Sequence, residues 1–242
     1  MKRCPARGEK PETASGPLCN AVFPSDATPM EERIAVQGRD YRFQRPADLE
    51  TLWEQLDESD FCADERLPYW VEIWPASIFL ARWIARNQDR LRNRWCLDLG
   101  CGLGVSTCVA AEFTTKALGL DYEFSALSYA RRNAGLNSCE AANWTLMDWR
   151  HPGLKPGSFS FIWGADILYE ARFFRPLIQL FQEQLAPGGT VWLSAPQRKV
   201  SEPFWTLLQQ NQWQVSLQSQ AEIAYKTRTM QVYLWELARE AS

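Results

Sequence analysis

The stretch Leu97-Asp98-Leu99-Gly100-Cys101-Gly102-Leu103-Gly104 decides the fold, because three glycines at alternate positions close one apolar run and open another. Residues 95–99 read as a buried strand and residues 105–113 as the helix after it, so the glycines form a strand-to-helix turn. Glycine suits such a turn twice over: it adopts positive φ, and it has no Cβ to hold a ligand away from the main chain. Three close glycines also serve an ordinary tight turn, and the loop alone does not separate the two readings. The strands that follow add to it. Residues 117–120 end at Asp121, residues 144–147 at Asp148 and residues 159–165 at Asp166. Each carboxylate sits where a parallel strand ends, and open α/β sheets bind ligands beyond those ends. One such aspartate is ordinarily a helix cap or a turn residue. Three in succession after a glycine loop describe the rim of a pocket.

From this stretch the alternation of strand and helix runs on through helix 123–136, helix 170–186, the turn Pro187-Gly188-Gly189, strand 190–194 and helix 202–210. Such alternation requires right-handed crossovers and a mostly parallel sheet. The rhythm then changes: residues 213–217 and 230–237 are two strand-like runs with no helix between them, which fits an antiparallel pair at the sheet edge. Upstream, residues 34–43 alternate apolar and polar side chains around Gly38 and predict a hairpin. Leu49, Leu52, Trp53 and Leu56 fall at helical spacing and predict a short helix over 47–56. Residues 1–30 carry five prolines among Gly, Ser and charges, a composition that cannot bury enough surface to order itself. The predicted architecture is α/β and Rossmann-like: a mostly parallel seven-stranded sheet with a C-terminal antiparallel pair and helices on both faces. A tail (1–30) and a hairpin-and-helix extension (31–66) precede the main domain (67–242).

At 242 residues, with 46% hydrophobic content, twelve Trp and twelve Phe, the chain has ample material for one core. A formal charge of -3 gives no general attraction to nucleic acid or anionic lipid. Seven cysteines, an odd number without a C-x-x-C pair, speak against a disulfide framework and a zinc knuckle, and point to a reducing, cytoplasmic compartment. The single histidine, His151, excludes a His-rich metal centre, and no metal is expected. Residues 4–17 hold Pro, Gly, Glu and Lys where a signal peptide needs an apolar run. Residues 69–84, the most apolar region, are interrupted by Glu72, Pro75 and Arg82 and are too short to span a bilayer. No membrane partner is expected.

A dinucleotide loop has the spacing G-x-G-x-x-G, and here the third glycine comes one residue early. Asp98, this closer spacing and Asp121 at the end of the next strand resemble the class I S-adenosylmethionine (SAM) methyltransferases. The Pro-Gly-Gly turn and the terminal antiparallel pair extend the resemblance over residues 95–237. It implies SAM as cofactor, with Gly100, Gly102 and Gly104 presenting bare main chain and free N–H groups to its methionine carboxylate. It implies that Asp98 reaches the methionine amino group through water and that Asp121 accepts from both ribose hydroxyls. Asp148 would accept from the adenine amine, with Trp149 covering the ring.

Two further segments bear on the methyl acceptor. Leu67-Pro68-Tyr69-Trp70-Val71-Glu72-Ile73-Trp74-Pro75-Ala76-Ser77 is similar to the segment preceding the core of the family-16, seven-β-strand protein-lysine methyltransferases, and Asp166-Ile167-Leu168-Tyr169 matches their D-x-x-Y signature. The resemblance implies that Trp74 lines the SAM site, that Asp166 and Tyr169 face the acceptor nitrogen, and that the substrate is a protein lysine. Trp70 and Trp74, at helical spacing, read equally as core aromatics. Enzymes that methylate base amines place N/D-P-P-Y/F/W after this strand, where Ile167 and Leu168 stand here, so no nucleic acid is expected. Lysine must be neutral to attack, yet with a pKa of about 10.4 only roughly one in two thousand is neutral at pH 7. Burial lowers that pKa and an ionised Asp166 raises it, and the sequence leaves the balance open. A small-molecule N-methyltransferase, a SAM-binding protein without turnover and an NAD enzyme stay open as alternatives.

Overall fold

A computed structural model describes residues 29–46, 68–226 and 228–239. The predicted tail up to residue 28, the helix over 47–56 and Leu67 lie outside the described residues.

Strands β1 (Met30–Val36) and β2 (Arg39–Arg45) form the expected antiparallel hairpin, turning at Gln37 and Gly38. Helix α1 (Pro75–Arg86) starts on a proline, whose missing N–H would have no partner in the first turn, and Trp74 before it is extended, as a residue preceding proline prefers. A short α2 (Gln88–Leu91) leads into β3 (Cys96–Leu99), α3 (Val105–Ala111), β4 (Ala117–Asp121), α4 (Phe124–Leu136) and β5 (Asn143–Leu146). Then follow β6 (Phe159–Ala165), α5 (Phe174–Gln184), β7 (Leu185–Ala195), α6 (Glu202–Gln210), β8 (Trp213–Tyr225) and β9 (Arg228–Arg239). The sheet order is β5-β4-β3-β6-β7-β9-β8, parallel except for β9, which runs antiparallel to both neighbours. This is the α/β, mostly parallel seven-stranded sheet read from the sequence. Strand order reverses between β3 and β6, so the glycine loop after β3 and Asp166 after β6 flank one crevice at the switch point.

Side chains alternate across the sheet with the period of two that strands impose. Phe161, Trp163 and Trp192 face the layer built by the hairpin, α1, α3 and α4. Ile162, Val191 and Leu193 face α5 and α6. The hairpin is fastened to the first layer by two asparagines four residues apart, Asn133 on α4 and Asn137 directly after its last residue. Asn133 accepts from Gln44 N at 2.7 Å and donates to Gln44 O and Leu103 O, while Asn137 exchanges the same pair of bonds with Arg42 at 2.8 and 2.7 Å. Together they complete the open edge of β2 as a neighbouring strand would, and Asn133 ties the hairpin to the glycine loop.

Two elements differ from the sequence reading. The helix expected over 170–186 is a single 3-10 turn followed by α5, and the chain is already in β7 at Leu185, because Pro187 drives Ala186 into extended conformation. The final two strands run well beyond 213–217 and 230–237. A register shift between Leu217 and Ser219 resets which side chains face the layer, and the polar run Gln218-Ser219-Gln220 hid the continuation. No helix among the described residues is long and apolar enough to cross a membrane.

Gly104 shows how tightly the loop is packed. It begins α3 at φ +85°, and a Cβ there would lie 2.7 Å from the Trp144 ring and 3.1 Å from Ala130 Cβ. Gly104→Val combines left-handed strain with overpacking, each costing about 1–3 kcal/mol. Thermal unfolding of this variant is expected about 10 °C below wild type. An unchanged midpoint would show that the Trp144 slab yields freely.

Candidate active site

The turn after β3 is drawn together by Cys101 N donating to Leu120 O at 3.0 Å and Gly104 N donating to Cys101 O at 2.8 Å. Gly100 stands at φ +63°, where a Cβ would come within 3.1 Å of the Trp149 ring and 3.3 Å of Ile167, so the backbone passes bare beneath those side chains. Asp121, at the end of β4, reaches back across the crevice: Oδ2 accepts from Gly102 N at 2.9 Å and Oδ1 from Glu123 N at 3.0 Å. Burial raises its pKa against the pull of these N–H groups. Asp98 lies deeper. Its Oδ2 accepts the hydroxyls of Ser106 at 2.5 Å and Thr107 at 2.6 Å, and burial nevertheless pushes the carboxyl up to about 6.

Around this floor lies a cavity of about 450 Å³, within the range of small-molecule sites. Gly100, Gly102, Asp98, Asp121, Trp74, Trp149, Asp166 and Tyr169 of the expected set all line it. Trp74 Nε1 donates to Tyr69 O at 2.9 Å, and the Tyr69 ring meets Trp74 edge-on at 6.2 Å and Tyr169 at 5.4 Å. Trp149 is buried against Phe173, ring centroids 5.5 Å apart. Burial also pushes the Tyr169 phenol well above its usual pKa, so the hydroxyl stays protonated.

Two expected residues are placed elsewhere. Gly104 is absent from the lining and serves the packing described above. Asp148 also lies outside the lining, and Arg150 engages it from its own backbone N at 2.8 Å and from Nε at 2.7 Å. Although partial burial opposes ionisation, Arg150 holds this carboxyl below its usual range.

The largest addition to the sequence reading is Arg198, which also lines the cavity and grips both carboxylate oxygens of Asp166, with Nη2 to Oδ2 at 2.9 Å. Asp166 adopts φ +57°, a conformation aspartate tolerates, and its N–H donates to Ser194 O at 2.7 Å. No spacing joins residues 166 and 198 in the sequence. The topology does: they follow β6 and β7, adjacent parallel strands. Tyr69 and Glu170, beside motifs already singled out, line the cavity as well.

The lining is acidic, with Glu72, Asp98, Asp121, Glu123, Asp166 and Glu170 against the single cation Arg198 among the described residues. Glu72 is paired with Arg45 and Lys226, and Glu170 with Arg172. Asp98 and Asp121 are held by hydroxyl and backbone N–H groups and, among the described residues, by no cation. Two buried, uncompensated carboxylates at a bare glycine loop suit a cationic ligand carrying hydroxyl or amine donors.

A family model described as "Methyltransferase domain" matches residues 92–236. A "Ubiquinone biosynthesis O-methyltransferase" of Nitrosococcus oceani is 29% identical over 113 residues, covering 47% of this chain and 48% of that protein. "Protein N-lysine methyltransferase METTL21A" of Xenopus tropicalis is 25% identical over 127 residues, 51% of this chain and 59% of that one. An "Electron transfer flavoprotein beta subunit lysine methyltransferase" of Xenopus laevis is 28% identical over 127 residues, 51% and 50%. The chain thus spans about half the length of the curated relatives it matches. Among solved structures, the YcgJ protein of Bacillus subtilis superposes with a TM-score of 0.58 at 11% identity, over 67% of this chain and 99% of that one, a likeness of fold alone.

Proposed function

From the premise that this chain belongs to the methyltransferase-domain family, we propose that it transfers the methyl group of SAM to a lysine side-chain amine of a protein. The observation that carries the cofactor is the pair of uncompensated carboxylates, Asp98 and Asp121, at the glycine loop. SAM joins a cationic amine and a sulfonium to a ribose diol, and that set of charges and donors complements them. Asp121 would take the ribose hydroxyls, Asp98 the methionine amine and Trp149 a face of the adenine. The D-x-x-Y residues Asp166 and Tyr169, in the same cavity, and two lysine methyltransferases among the relatives support the acceptor. We assign residues 67–242 to this domain, residues 31–66 to an N-terminal hairpin-and-helix extension, and the protein to the cytoplasm.

SAM supplies a methyl group already activated by its sulfonium. What the chain must add is alignment and exclusion of water. Tyr69, Trp74 and Tyr169 form an aromatic wall suited to both tasks, and the aliphatic stem of a lysine packs along such a surface. With its phenol held protonated, Tyr169 orients the amine as a hydrogen-bonding group and does not abstract its proton. The proton leaves to water before attack.

The test is incubation of the protein with methyl-labelled SAM and a cell lysate. Label is expected in a protein band and, after hydrolysis, in methylated lysine. Asp166→Ala is expected to lower incorporation about 100-fold with SAM binding retained. Label confined to the low-mass fraction would instead support a small-molecule acceptor, the class to which the ubiquinone-pathway relative's name points.

A further inference from the structure

Resting on that reading, we infer that Arg198 sets the charge state of the amine at the transfer point by neutralising Asp166. The pair is built into the fold. Both carboxylate oxygens of Asp166 are engaged, its N–H is fixed to Ser194 O, and the carbonyl of Arg198 accepts from Ser201 N at 3.0 Å and Ser201 Oγ at 2.8 Å. Two loops on adjacent strands are therefore locked with the fork of one cation on the fork of one anion.

The chemical need for such a cation follows from the rest of the lining. Asp98, Asp121 and Glu123 face the cavity from the β3 and β4 ends, Glu170 from the loop after β6 and Glu72 from the segment before α1. Tyr69, Cys101, Tyr122 and Tyr169 are the other titratable groups there, and burial holds the Cys101 thiol protonated. Arg45, Lys226 and Arg172 offset Glu72 and Glu170, and Arg198 is the one cation in the lining itself. A free Asp166 would hold an incoming amine as ammonium, with its lone pair blocked by a proton. Bound to Arg198, the same carboxylate presents almost no net charge, so the amine can shed its proton and still find an acceptor for an N–H.

An amino analogue of SAM, in which an aminomethylene group replaces the methylated sulfonium, places an amine where the methyl is carried. S-adenosylhomocysteine lacks that amine and otherwise shares the scaffold. The ratio of their affinities, measured calorimetrically at about pH 8, reads the field at the transfer point without any acceptor. Arg198→Gln is expected to favour the amino analogue by about tenfold over its wild-type ratio, and Asp166→Asn to disfavour it about as much. Arg198→Lys, which keeps the charge and loses the fork, should stay within about threefold. In lysate labelling, the rising limb of the rate against pH should move up by about one pH unit in Arg198→Gln.

A residue that only braces the loop would weaken both ligands alike, so an unmoved ratio in Arg198→Gln overturns the inference. A shifted ratio with no protein labelled leaves the charge-setting role standing and removes only the lysine acceptor. Failure of folded wild-type protein to bind either compound removes both.

Discussion

Asp121→Ala is expected to lower affinity for SAM and for S-adenosylhomocysteine at least about 100-fold while the ligand-free chain stays folded. The carboxylate would accept two ribose hydroxyls, and hydrogen bonds to a charged acceptor contribute about 1.5–3 kcal/mol each. It also accepts from Gly102 N and Glu123 N, so its loss releases the middle of the glycine turn as well as the sugar. Stability is a different matter. Burial has already raised the Asp121 pKa, so the ionised group is a cost to the ligand-free fold and its removal is close to neutral. The readable consequence is a separation of two midpoints. Ligand at 100 times its Kd stabilises wild type by about 2.7 kcal/mol, and that increment should fall to about 0.4 kcal/mol or less in Asp121→Ala with the ligand-free midpoint little moved. Asp121→Asn should lie between, since its amide oxygen still accepts while its NH₂ opposes the N–H of Glu123. Calorimetric titration of S-adenosylhomocysteine decides the matter, and binding of Asp121→Ala within about threefold of wild type would remove Asp121 from the site.

The parts of this molecule that were legible in the sequence are those written in a local period. The glycine spacing, the aspartates at strand ends and the alternation of strand and helix each occupy a few consecutive residues, and the sheet order follows from them by rules of handedness. What escaped was written between distant residues. Arg198 and Asp166 meet only because β6 and β7 are neighbours, and nothing around Gln197-Arg198-Lys199 sets that arginine apart from a solvated one. Asn133 and Asn137 form half of a sheet edge, although at and just beyond the end of α4 nothing local sets them apart from ordinary surface amides. Asp148 is the opposite case, since its partner Arg150 lies two residues on, and a local ion pair competes with any ligand for its oxygens. Gly104 belongs to the glycine pattern and yet its space is filled by Trp144, because a pattern records that a side chain is excluded and not what excludes it.

Asp98→Asn is expected to make the protein more stable at neutral pH and poorer at holding SAM, and the two effects together distinguish a functional carboxylate from a structural one. The Asp98 carboxyl lies at about 6 in the fold against a reference of 3.8, so between those values the native state binds more protons than the unfolded chain. Stability therefore falls as pH rises from about 4 to about 6, and that displacement corresponds to about 3 kcal/mol by the time the group is fully ionised. Asparagine carries no charge to desolvate, and its oxygen can still accept from Ser106 and Thr107. Its NH₂ needs a new acceptor, which leaves a net gain of about 1–2 kcal/mol. At about pH 8 the midpoint should rise by several degrees, and at about pH 4 the gain should disappear, because Asp98 is then protonated in the native state too. Over the same series SAM affinity at pH 8 should drop at least about tenfold, since a cationic amine loses its counter-charge in a buried site. Thermal unfolding across pH, with and without S-adenosylhomocysteine, measures both. A variant less stable than wild type at every pH would show that the ionised carboxylate is held for the fold itself, with the Ser106 and Thr107 hydroxyls outweighing its desolvation.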